Sequence, residues 1–182
     1  MKIKLEHLAI PVVALLILGL SLSLTSNTPV SSTEGLKYNG MVCVGATLNG
    51  SYHDLGCTHN LITTAGKTLM QNVIGGQQVN MNATRIAVAN STAAQTAADT
   101  TLQGEWTTCG LAKTPGTYAT TGTAGAWNVT YQWTSTCDNV IVNATGLYND
   151  TFTNQLFAET TFTSVTLQTN DRINVTWGLT IS

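Results

Sequence analysis

The chain has 182 residues, a formal net charge of −2 and only 9% charged residues, against about 25% in ordinary soluble domains. Five Lys or Arg lie beyond Lys4, too few to neutralise a run of phosphates, which excludes nucleic-acid binding. The polar surface must therefore come from neutral side chains, and 33 Thr, 10 Ser and 15 Asn supply it, a composition that favours strands and turns over helices.

The N-terminus carries Lys2 and Lys4, and residues 8–24 then run LAIPVVALLILGLSLSL without a charge. A basic start before an apolar run is the form of an export signal, and a helix is expected there. At about 17 residues the run is short for a membrane span and long for a cleaved signal. Ser21, Ser23, Thr25 and Ser26 are small enough for a cleavage site. Residues 1–26 thus read as a signal peptide or a signal anchor, the latter holding the chain to a membrane through residues 8–24. Residues 27–40, with Pro29, Ser31, Ser32 and Gly35, read as a polar linker. Residues 41–182 read as one domain outside the cytoplasm.

Within that domain, residues 41–48 and 51–57 form a predicted hairpin about Asn49-Gly50-Ser51. Residues 60–74 are the one predicted helix. Leu61, Ile62, Ala65, Leu69, Val73 and Ile74 fall mostly on one stripe, and Gly75-Gly76 ends it. A short apolar strand at 85–89 precedes a small-residue loop at 90–101. Residues 106–118 then lead through a Gly-containing loop into a strand at 126–136, where Trp127, Val129, Tyr131 and Trp133 alternate with polar residues. Strands at 140–144, 156–162, 165–169 and 173–181 complete the series. The pattern predicts a mainly β domain, an antiparallel sandwich of about seven to nine strands with one short helix.

The four cysteines are Cys43, Cys57, Cys109 and Cys137, and an even count behind an export signal reads as two disulfides. Cys43 and Cys57 are equidistant from the Asn49-Gly50-Ser51 turn, and Cys109 and Cys137 from the loop at 120–125. Residues equidistant from a hairpin turn face each other, which predicts Cys43–Cys57 and Cys109–Cys137. The rival is a metal site, since Cys57-Thr58-His59 lies near His53 and Cys43. No C-x-x-C or H-x-x-x-H spacing supports it, so no metal or cofactor is expected.

Seven N-x-[ST] sequons stand at Asn49, Asn82, Asn90, Asn128, Asn143, Asn149 and Asn174, about twice the number chance would place in this composition. Asn128 and Asn174 fall on the polar faces of their predicted strands. In a host that glycosylates exported proteins, sugar on these sites would keep a charge-poor surface soluble.

Several blocks are co-linear with one family. Asn60-Leu61-Ile62-Thr63-Thr64-Ala65-Gly66 matches N-x-[VI]-T-x-x-G opening a helix, and Arg85-Ile86-Ala87-Val88-Ala89-Asn90-Ser91 resembles its YIALGTG strand. The run from Thr92 through Asp99, Leu102 and Glu105 is similar to T-A-P-A-A-T-D-T-A-L-x-x-E, with Gln95 where the family often has Pro. Thr145-Gly146-Leu147-Tyr148-Asn149 follows E-A-G-L-F-N. Asp171-Arg172-Ile173-Asn174-Val175-Thr176-Trp177 follows the final S-G-D-x-L-x-V-T-W. Residues 60–182 thereby resemble the small tail-fibre or head-fibre type β-domains of tailed bacteriophages and related viruses. The resemblance implies a structural or attachment role and carries over no catalytic residue. The export segment and the cysteines depart from that family, and suggest such a domain on a cell surface or an enveloped virion.

Asp99 and Glu105 are the best-placed acids for Ca²⁺, yet the plainer reading caps a turn with Asp99 and leaves Glu105 paired with Arg85 or solvated. The remaining acids are scattered, so no acid/base pair suggests itself and no enzyme is expected. Trp127, Trp133 and Trp177 are expected in the core. Trp106 is the aromatic expected to be exposed and to meet a ligand. Two functions survive: a surface structural subunit partnered by its own copies or other surface proteins, and a monomeric adhesin or carbohydrate-binding module.

Overall fold

The structure, a computed structural model, describes residues 37–77, 82–149 and 155–182. The export segment at 1–26 and most of the linker lie outside them. Among the described residues no helix is long and apolar enough to cross a membrane.

The elements run β1 (Tyr38–Leu48), β2 (Ser51–His59), β3 (Leu61–Ile62), α1 (Thr64–Ile74), β4 (Ala83–Ala89), β5 (Thr114–Pro115), β6 (Thr117–Thr120), β7 (Ala126–Thr134), β8 (Val140–Asn149), β9 (Leu156–Leu167) and β10 (Arg172–Ile181). They build two five-stranded sheets, ordered β2-β1-β10-β7-β6 and β3-β9-β8-β4-β5. Every pairing is antiparallel. The predicted sandwich is present, with ten strands because two of them are only two residues long.

The clearest alternation is on β10, where Ile173, Val175, Trp177 and Leu179 are buried while Asn174, Thr176, Gly178 and Thr180 lie half-exposed on the outer face. Held between β1 and β7, β10 places its apolar face in the centre of the core. The β1–β2 turn has φ 49° at Asn49 and 81° at Gly50, the paired positive values that suit a two-residue hairpin. Cys43 and Cys57 are register partners across that hairpin and are bonded.

Cys109 and Cys137 are bonded as well, but not as members of a hairpin ladder. The β6–β7 ladder reaches only from Thr120↔Trp127 to Thr117↔Thr130. At Gly116 the chain leaves for the second sheet, where Thr114–Pro115 pairs with β4. A side chain at Gly116 would meet Val129 of one sheet and Ile86 of the other. The Thr136 amide, which donates to the Cys109 carbonyl at 3.0 Å, sets the second cysteine pair.

Four further expectations are corrected. The domain begins by Lys37 rather than at residue 41. Lys37 and Ser182 exchange backbone bonds, and the Tyr38 ring packs edge-on against Phe157 at 5.7 Å. The helix starts at Thr64 rather than 60, because Leu61 and Ile62 pair with Glu159 and Ala158. Thr63 is its N-cap, with extended dihedrals and an Oγ1 that accepts from the Gly66 amide at 3.0 Å. Residues 156–167 are one strand and not two, since nothing between Phe162 and Val165 breaks the chain. Trp127 is only half-buried, whereas Trp133 and Trp177 fill the core.

Candidate functional site

Inside the sandwich Ile86, Val88, Val142 and Leu147 of the second sheet meet the first. Its opposite face carries Ala87, Ala89, Ala144, Gly146, Tyr148 and Glu159, mostly small residues that make a flat floor. The loop at 90–113 lies down on that floor. Leu102 joins Ala87, Ala89, Ala144, Tyr148 and Leu156 in a second apolar cluster, and a side chain at Gly146 would meet Leu102, Leu156 and Tyr148. The lid is bonded along its length. Asn90 N–H donates to Gly104 O at 3.1 Å, Thr64 N–H to Ala97 O at 2.7 Å, Leu156 N–H to Thr100 O at 3.3 Å and Trp106 N–H to Val88 O at 2.9 Å. The amide of Asn143 clasps the Ser91 backbone, accepting at 2.7 Å and donating at 2.8 Å.

Asp99 and Glu105 belong to this lid and serve different partners. The Tyr148 hydroxyl donates to Glu105 Oε2 at 2.7 Å and accepts from the Leu102 amide at 2.7 Å. Lys113 Nζ sits 3.2 Å from Glu105 Oε1 and 3.7 Å above the centroid of the Tyr148 ring. Burial drives the Tyr148 phenol well above its ordinary range. Asp99 accepts from Thr96 N at 2.9 Å and Thr96 Oγ1 at 2.8 Å, and the Thr96 amide holds its carboxyl below the ordinary range. Among the described residues no three His, Cys, Asp or Glu side chains come together as a metal site.

Sequence reasoning passed over Glu159. It stands in mid-strand on β9, 3% exposed, against the Asp99 carboxyl. Burial, then the hydrogen bond and charge of Asp99, push it up to about 7, and the Thr96 amide opposes them. The signal available was an acid inside the apolar run Leu156-Phe157-Ala158 and Phe162.

A second feature opens at the end of the sandwich where β1 begins. Two adjoining hollows of about 560 and about 160 Å³ share Ala83, Trp127 and Phe157. Tyr118, Asn82 and Thr84 line the larger, and Tyr38, Leu69, Met70, Val73, Ile74 and Ile181 the smaller. Leu69 anchors α1 to the core, but Val73 and Ile74 remain 44% and 65% exposed. This groove holds the free aromatic edge that was expected at Trp106. Trp106 itself is half-buried and its indole N–H donates to Ile141 O at 2.9 Å. Among the described residues Tyr52 and Tyr118, 70% and 56% exposed, are the open aromatics instead.

The seven sequon asparagines separate by geometry. Asn49, Asn82 and Asn90 are exposed, and Asn128 and Asn174 lie half-exposed on β7 and β10 of the first sheet. Asn143 spends its amide on Ser91. Asn149 is buried, and its Oδ1 accepts from the Gln155 amide at 2.8 Å. Comparison of the chain with protein-family models, with curated proteins and with solved structures finds no match.

Proposed function

We propose that this chain is an exported surface structural subunit that assembles with copies of itself on a cell or virion surface. The groove carries the reading. Val73 and Ile74 leave an apolar helix edge open beside Trp127 and Phe157, and contiguous apolar surface of this kind is what an assembly buries. The chain enters the domain at the same end, since Tyr38 and Ile181 line the groove. Two disulfides suit an oxidising exterior, and a lid bonded along its length suits resistance to proteolysis.

The test is light scattering and electron microscopy of the full chain beside Ile74→Asp, a change at an exposed position that leaves the core untouched. Wild type is expected to form filaments or arrays. Ile74→Asp should associate at least about 30-fold more weakly, the effect of losing an interface anchor worth about 2 kcal/mol. Equal assembly by both chains would remove the groove from the interface.

A second reading, a monomeric carbohydrate-binding module, draws on the same place. Trp127 and Tyr118 stand beside Asn82 and Thr84 in the larger hollow, pairing ring faces with polar groups as a sugar requires. A wild-type chain that stays monomeric and retains a glycan would favour it.

Glycosylation belongs to the same proposal. Sugar on the folded domain is expected at Asn49, Asn90, Asn128 and Asn174, and not at Asn82, which lines the groove, nor at Asn143 or Asn149, whose amides are spent on Ser91 and Gln155. Mass-spectrometric peptide mapping of the native protein reads occupancy directly. A glycan on Asn149 would be incompatible with its burial.

A further inference from the structure

We infer that residues 90–105 are a latch on the second sheet, closed in acid and loosened above neutrality, with the Glu159–Asp99 carboxyl pair as its catch. The register places Glu159 on the lid side of β9, opposite Gly146 of β8 and Leu61 of β3. Neither neighbour brings a charge or a hydrogen-bonding side chain. What covers Glu159 is the lid corner at Thr96 and Asp99. Glu159 Oε1 has no partner that donates to it, and a carboxylate at Asp99 can only accept. One proton held between the two carboxyl groups satisfies both, which makes the protonated acid a structural part of the closed lid.

The other charged or titratable groups around the site do not supply a counter-ion. From the lid, Glu105 takes Tyr148 of β8 and Lys113. Arg85 of β4 stands opposite Tyr148 in the register, and from β2 the His59 carbonyl and the Thr58 hydroxyl, both uncharged, reach β9 at Thr160 and Thr161. Asp99 is the charge that acts on Glu159. When Glu159 ionises, a buried carboxylate with an unpartnered oxygen faces the charge of Asp99 at the lid's edge, and the segment free to retreat is the loop.

The direction follows from the raised acid. Its stabilisation of the closed lid is complete below the ordinary carboxyl range, and is lost as pH rises through about 7. Because Asp99 is itself held low by Thr96, it stays charged across that window. An open lid would bare Ala87, Ala89, Ala144 and Leu156, an apolar face otherwise shielded by Leu102.

The experiment is amide hydrogen exchange on the full chain in a pH series that includes 5.5 and 8.0, corrected for the chemical rate, with peptides covering residues 94–102 and β10. For wild type, lid opening should increase on the order of tenfold at the higher pH, while β10 keeps its protection. Glu159→Gln keeps a donor for Asp99 without a charge and should erase the difference. Asp99→Asn alters only the loop. It should move the midpoint of loosening to lower pH, because the opposing charge is gone while the burial of Glu159 remains. Lid exchange in wild type that is equal at the two pH values would overturn the inference. So would a pH response that persists unchanged in Asp99→Asn or in a folded Glu159→Gln.

Discussion

Asp171→Ala should cost the domain about 4 kcal/mol, the sum of two partly buried hydrogen bonds to a charged acceptor and the amides left without one. Asp171 is 5% exposed in the turn between β9 and β10. Its Oδ1 accepts from the Asn49 amide and its Oδ2 from the Gln168 amide, each at 2.8 Å. The first bond spans 122 positions of sequence and pins the β1–β2 hairpin turn to the turn that launches β10. Asp171 N–H donates to Gln168 O at 3.0 Å, and Asp171 O accepts from Ser135 at 2.8 Å, so the backbone cannot move aside to let water in cheaply. Asp171→Asn keeps one acceptor and sets an amide donor against a backbone donor, so it should lose about half as much. Urea unfolding with the disulfides intact checks both. A loss below about 1 kcal/mol for the alanine variant would mean that water replaces the carboxylate.

That contact shows where local pattern stops being informative. Asp171 was readable as a turn residue, because Asp before an alternating strand suits a turn. That it also holds Asn49 depends on β1 and β10 being neighbours, which no local signal states. The strands that were legible bury one face only: β10, with its strict alternation, and the β1–β2 hairpin, with Asn49-Gly50 at its tip. β4 and β8 are buried on both faces, and their small residues Ala87, Ala89, Ala144 and Gly146 gave no alternation to read. An apolar run such as Ile86-Ala87-Val88-Ala89 is what a doubly covered strand looks like, and it was the available hint that a lid lies on the sheet. The Thr92-to-Glu105 block stands out in the sequence by its resemblance alone. Its Leu102 and Glu105 hold the lid to Tyr148, while Asp99 braces the lid's own corner at Thr96. The open groove was not legible, because Val73 and Ile74 continue the same apolar stripe as the buried Leu69. Their exposure depends on where the sheet ends.

Gly66→Ala should destabilise the domain by about 3 kcal/mol, against the usual sign for a helix. Alanine in place of a helical glycine ordinarily gains about 0.5–1 kcal/mol from backbone entropy. Gly66 is the third residue of α1 and is buried against β9. A Cβ there would fall on the carbonyl oxygen of Phe157, with the Ile62 Cγ2 at 3.1 Å. Backbone does not yield as a flexible side chain would. The same carbonyl accepts from the Thr63 amide at 3.1 Å and from Thr63 Oγ1 at 3.2 Å, so lifting the helix breaks its own N-cap. The overpacking cost therefore outweighs the entropic gain. Thermal unfolding should show a Tm lower by about 10 °C, at about 2–4 °C per kcal/mol for a domain of this size. Lys67→Ala, one residue along on the exposed side, should stay within about 0.5 kcal/mol of wild type. A rise in Tm for Gly66→Ala would mean that α1 stands farther from β9 than its N-cap implies. The wall of the groove formed by Met70, Val73 and Ile74 would then stand farther out too, since Gly66 sets how closely the helix seats.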